Sequence, residues 1–194
     1  MNVNKNHKRI RRSAEESKRL ILDTAATRLR EMGLDGLTVN GVARAAGISH
    51  GTVIHHFGTT EDMRDALLDR LTQALLTDIH SALQQDRAPK DILADLFTTL
   101  SSGGHGPLLA WRALNHADES LPESQSAALF NDILDDLANE TVHRQEAKMI
   151  VLLVAAAAMG LSICGSPLTQ LIGLSEAERA AFPDWLARLV QASG

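Results

Sequence analysis

Apolar residues recur three and four positions apart along most of the chain, the period of helices lying against a core. Leu20, Ile21, Thr24, Ala25, Leu29 and Met32 form the first such stripe. Ser13-Ala14-Glu15-Glu16 ahead of it has the layout of a capping box, and Gly33 is its stop. Thr38 caps a second, short segment with Val39, Val42, Ala43 and Ala46 facing inward. Gly47 interrupts it, and Ser49 caps a third segment that runs to about Phe57. Thr59 or Thr60 opens a fourth helix, with Glu61 and Asp62 near its positive end. Its stripe of Met63, Leu67, Leu71, Leu75 and Ile79 carries it to about Gln85. After Pro89 the pattern predicts five more helices, over about 89–101, 106–117, 123–140, 145–164 and 175–191. Ser101-Ser102-Gly103-Gly104, residues 118–122, a weak junction near Thr141–Arg144 and Gly165-Ser166-Pro167 separate them. Pro183 falls inside the last, where proline kinks or restarts a helix. Strand-type alternation is nearly absent, so the fold class is all-α with about nine helices.

Two short helices joined by Ala46-Gly47-Ile48-Ser49 have the layout of a helix-turn-helix, whose second helix enters a DNA major groove. Charge supports that placement. Residues 1–60 carry ten Lys/Arg against five Asp/Glu, a balance of +5, whereas residues 61–194 carry nine against nineteen, a balance of −10. Five of the basic residues, Lys5, Lys8, Arg9, Arg11 and Arg12, lie in the first twelve, which read as a disordered basic arm. The organisation expected is therefore an arm over 1–12, a DNA-binding domain over 13–60 and a helical domain over 61–194. Only one cysteine, Cys164, is present, which fits a reducing cytoplasm. The N-terminus has no apolar stretch after its charges, so no signal peptide is expected. The apolar run Met149–Cys164 is 16 residues long, short of the roughly 20 a bilayer needs, so no membrane span is expected.

Ile21-x-x-x-Ala25-Ala26, Gly33, Leu37-Thr38-Val39, Val42-Ala43, Ala46-Gly47-Ile48-Ser49, Gly51-Thr52-Val53 and His56-Phe57 together resemble the N-terminal domain of TetR-family transcriptional regulators. The resemblance covers about residues 17–63; beyond it only the helical layout agrees. It implies a dimeric repressor of a palindromic operator, released by a small-molecule effector that changes the spacing of two recognition helices. The residues expected at DNA are Thr38, Arg44, Ser49, His50, Gly51, Thr52, His55, His56 and Thr60, with Arg9, Arg11 and Arg12 of the arm. His50 and Thr52 are the candidates for base edges, and Thr38 and Ser49 for phosphate at helix N-termini. Two positions depart from the family pattern: Ile54 stands where tyrosine is common, and Thr60 where lysine is common. The basic arm, lying in a minor groove, would compensate.

The resemblance also implies an effector cavity in the C-terminal helices. Phe97, His105, Trp111, His116, Phe130, Met149, Met159 and Cys164 are the candidates to line it, and their character favours a small, largely hydrophobic effector. A homodimer is expected through the last two helices, about 145–164 and 175–191. No cofactor and no metal are expected: the histidines at 80, 105, 116 and 143 lack short ligand spacing. An enzyme is not expected either, since no phosphate-binding glycine loop is present and the lone cysteine lies in an apolar helix. Two alternatives stand beside the repressor. One is a regulator of the same fold without an effector, acting as an activator or architectural partner. The other is a helical interaction protein that has lost DNA binding, suggested by Ile54 and Thr60.

Overall fold

The Ser13 hydroxyl accepts the Glu16 N–H at 3.1 Å while the Glu16 carboxylate accepts the Ser13 N–H at 2.7 Å, and this reciprocal cap starts α1, Ala14–Met32. The computed structural model describes residues 13–102, 104–115, 125–138 and 142–193. A short 3-10 turn, Gly33–Gly36, leads to α2, Val39–Ala46, and α3, His50–Phe57. A second capping box, Thr59 with Asp62, starts α4, Thr60–Gln84. Then follow α5, Pro89–Ser102; α6, His105–Asn115; and α7, Gln125–Leu137. The chain closes with α8, Arg144–Leu171; α9, Glu176–Ala180; and α10, Phe182–Ser193. Among the described residues there are ten α-helices and no strand, so the all-α expectation holds.

Three expectations need correction. The stretch 165–167 does not break a helix: α8 continues through Pro167 to Leu171. Pro167 removes one backbone donor, but the Thr169 hydroxyl donates back to the Gly165 carbonyl at 2.8 Å and lies 3.1 Å from that of Ser166, binding the weakened turn. The last expected helix is two, because the chain restarts at Phe182 with Pro183 in the first turn, where its missing N–H costs little. Met32 is 56% exposed and off the core, since α1 turns its inner face through Ile21, Ala25 and Leu29.

Two apolar clusters hold the helices. The first gathers Ile21, Ala25 and Leu29 of α1, Leu37, Val39, Val42 and Ala43 around α2, Val53 of α3, Met63, Leu67 and Leu68 of α4, and Leu108 of α6. The second joins Leu93, Leu96, Phe97 and Leu100 of α5 to Val154 and Ala158 of α8 and Leu186 and Ala187 of α10. Phe97 and Phe182 meet there edge to face, with centroids 5.7 Å apart. Gly106 lets α6 lie directly on α8: a Cβ there would come within 2.0 Å of the Ser162 hydroxyl, which donates to the Leu100 carbonyl at 2.8 Å.

The 28 residues of α8 have a mean hydropathy of 2.2 in their most apolar stretch, so by length and composition the helix could cross a bilayer. The expected 16-residue limit is therefore wrong, because the helix does not stop at Cys164. Ala147, Val154, Ala158, Gly165 and Thr169 pack inward, while Met149, Leu152, Leu153, Ile163, Leu168 and Leu171 lie exposed. Trp185 and Leu189 of α10 are also exposed.

Candidate nucleic-acid interface

The turn between α2 and α3 is built from side-chain caps and one glycine. The Thr38 hydroxyl accepts the Gly41 N–H at 3.0 Å and fixes the start of α2. Gly47 ends that helix with φ +66°, a left-handed conformation that costs glycine nothing. The Ile48 N–H reaches the Ala43 carbonyl at 3.1 Å, and the Ser49 hydroxyl accepts the Thr52 N–H at 3.1 Å to start α3. Val53 is fully buried and pins α3 to the first cluster, with Ile48 and Phe57 partly buried beside it.

Pinning Val53 inward turns the other side of α3 outward. His50, Gly51 and His55 are exposed, and Thr52 and His56 half-buried. Arg44 is exposed on α2. His50, Gly51 and His55 are thus the most open of the expected contacts on α3, with Thr52 and His56 toward its flanks. Two carry local bonds that sequence reasoning missed. His50 Nδ1 lies 2.6 Å from Asn40 Oδ1, and the Thr52 and Ser49 hydroxyls are 2.8 Å apart. Asn40 is the partner overlooked; its only signal was a polar side chain between buried Val39 and Gly41. The His55 and His56 rings stand edge to face with centroids 5.3 Å apart. At the head of α4, Thr59 and not Thr60 is the cap. Its hydroxyl and N–H both bond the Asp62 carboxylate, at 2.7 and 2.9 Å, holding that carboxyl below its ordinary range. Thr60 is half-buried in the first turn. Arg9, Arg11 and Arg12 lie outside the described residues.

A family model described as bacterial regulatory proteins, tetR family, matches residues 21–67, the stretch that contains this turn. Over 135 residues the chain is 27% identical to the HTH-type transcriptional regulatory protein RaaS of Mycobacterium tuberculosis, across 59% of this chain and 64% of that protein. Over 48 residues it is 48% identical to the HTH-type transcriptional repressor KstR2 of Rhodococcus jostii, across 25% of this chain and 24% of that protein. Residues 21–67 are thereby a DNA-binding segment of the tetR-family type. The matched stretches span 64% and 24% of those two curated relatives. The fold is similar to that of the transcriptional regulator FadR from Bacillus subtilis, solved in complex with stearoyl-CoA. It superposes with a TM-score of 0.55 at 17% identity, over 89% of this chain and 96% of that one.

The cavity residues expected for a TetR-family chain are not brought together. Phe97 is buried in the second cluster, and Met159 is half-buried on α8. Trp111 packs instead against the first cluster, where the Arg64 guanidinium lies 5.0 Å from its ring centroid. Phe130, Met149 and Cys164 are exposed: α7 buries Ile133 instead, and α8 turns Ala147, Val154, Ala158, Gly165 and Thr169 inward. His116 lies outside the described residues. The larger of two described cavities, about 440 Å³, lies between α4 and α5 over a floor of Leu75, Ile79, Ala82, Ile92 and Leu96. Asp78, Arg87, Asp95 and two threonines rim it. Phe97 lines the other, about 340 Å³, with Leu161, Arg179 and Pro183.

His105 is buried at the head of α6, and neither ring nitrogen makes a hydrogen bond of full geometry. Burial pushes its pKa below the ordinary histidine value, and the Leu71 backbone offsets this only in part. Arg64, a link not foreseen, donates to the Leu37 carbonyl at 3.2 Å and the Leu34 carbonyl at 3.1 Å, while Arg112 Nη1 reaches Asp65 at 3.3 Å. These bonds tie α6 to α4 and to the turn ahead of α2.

Proposed function

We propose that this chain is a DNA-binding transcriptional regulator that represses from a palindromic operator as a homodimer and is released by a small, largely apolar effector. The observation that carries the reading is α3. Val53 and the glycine turn hold it rigidly, while His50, Gly51 and His55 remain open on its outer side. Thr38 and Ser49 present helix N-termini for phosphate, and Arg44 supplies a permanent cation beside them. The uncovered apolar sides of α8 and α10 support a dimer. Leu152 at 63%, Leu171 at 83% and Trp185 at 50% exposure are large apolar side chains that a partner surface would cover. A second copy supplies the same face by two-fold symmetry.

The apolar floor of the cavity between α4 and α5 supports a largely apolar effector, and its charged rim adds a place for one polar end. The FadR relative in fold binds a molecule of that kind, stearoyl-CoA. Links from Arg64 and Arg112 would let a shift of α4 or α6 reach the recognition helix. Gel retardation with the region upstream of its own gene tests the reading. Sequence-specific, salt-sensitive retardation is expected; its absence, with the protein folded, would reject DNA regulation and leave a helical interaction protein.

A further inference from the structure

The 24 residues from Thr38 to Glu61 hold one arginine and one glutamate, so the segment facing DNA is formally uncharged while its histidines are neutral. Duplex affinity depends heavily on cations that displace counterions from phosphate. In this segment Arg44 is the single permanent one, and Ile54 and Thr60 add none. His50 and His55 are exposed on α3 and His56 is half-buried beside Phe57, and charging all three takes the segment from zero to +3.

The three rings stand in different local settings. Asn40 Oδ1 accepts from His50 Nδ1 at 2.6 Å, which leaves Nε2 as the ring's acceptor nitrogen. His55 and His56 stand 5.3 Å apart, so two charges there repel unless an anion lies against both, as a backbone phosphate would. Neighbouring elements present few other charges. On α2 there is Arg44; at the head of α4 there are Glu61 and Asp62, the latter bonded to Thr59. On α1, Arg28 is held by the Gly36 carbonyl and Asp23 by Arg70. No described ion pair involves the three histidines. An imidazole changes charge within the range that other side chains do not, and a phosphate drawn close favours its charged form.

We propose that DNA binding by this chain is proton-linked, with His50, His55 and His56 taking up protons as the duplex docks. The helix-turn-helix then grips DNA in mildly acid solution and loosens above neutrality. The inference rests on the reading of the chain as a DNA binder. The full chain should be titrated with a duplex selected from a random library, by fluorescence anisotropy at about pH 6 and about pH 8. Binding at least about tenfold tighter at the lower pH is expected, which one linked proton per protomer already gives over one pH unit. The salt dependence should also steepen at the lower pH, by about 0.9 for each imidazole charged. Calorimetry in two buffers of different ionisation enthalpy counts the protons directly, and net uptake is expected. The triple variant H50Q/H55Q/H56Q, checked for folding by circular dichroism, should lose most of the pH dependence. Equal affinity at both pH values, no proton uptake, or a pH dependence that survives in the triple variant would overturn the linkage while leaving DNA binding intact. Absence of binding at either pH would overturn the parent reading as well.

Discussion

Gly47 carries the strictest requirement of any single residue in the recognition turn. Its φ of +66° is open to glycine, and a Cβ there would meet nothing within 4 Å, so the cost of a side chain is purely conformational. Gly47→Ala should therefore destabilise the fold by about 1 kcal/mol in urea unfolding without creating a clash. Gly106 is the opposite case. Its backbone is ordinary, yet Gly106→Ala drives a methyl into Ser162 and against the bond to Leu100, so its loss should exceed that of Gly47→Ala in the same assay. Single residues were legible where their job is local. Ser13, Thr38, Ser49 and Gly47 declare caps and turns through their immediate neighbours. Asn40 and Arg64 were not legible, because their partners lie 10 residues away at His50 and 27 to 30 residues away at Leu37 and Leu34. Only the fold brings those together.

At the scale of elements, the buried head of α6 makes stability depend on pH. His105 binds its proton less readily folded than unfolded. Between the lowered folded value and the ordinary value near ~6.5, the unfolded chain holds more protons, so stability falls as pH drops through that window. Thermal melting should show this loss, and His105→Leu, which fills the site without a titrating ring, should reduce the slope. The paired caps Thr59–Asp62 and Ser175–Glu178 act in the same direction at lower pH, since both carboxyls are held below their ordinary range by their hydroxyl partners and lose that stabilisation once protonated. Periodicity located α1 to α6 closely because their apolar faces are bounded by strong caps or glycines. It failed at α8 because a proline does not always end a helix, and this one runs on through Pro167 to Leu171. It left the inner side of α8 unread because that helix is apolar nearly all round, and a stripe in the sequence does not say which side a neighbour covers.

For the whole molecule, the bare sides of α8 and α10 set the expectation for assembly. Sedimentation should give a dimer, and Leu152→Glu combined with Leu171→Glu should yield a folded monomer with weakened operator binding, since half-site spacing is lost. A dimer that survives both changes would place the interface elsewhere. The all-α class and the basic-then-acidic division of charge were readable from composition, but the division of the core was not. The cluster beneath the recognition helix draws Met63, Leu67 and Leu68 from α4 and Leu108 from α6, and Arg64 staples the turn before α2 from below. A protease searching for a seam near residue 60 would find none. Nor would a fragment ending there make a portable DNA-binding module, because the floor on which α3 stands belongs to the half of the chain left behind.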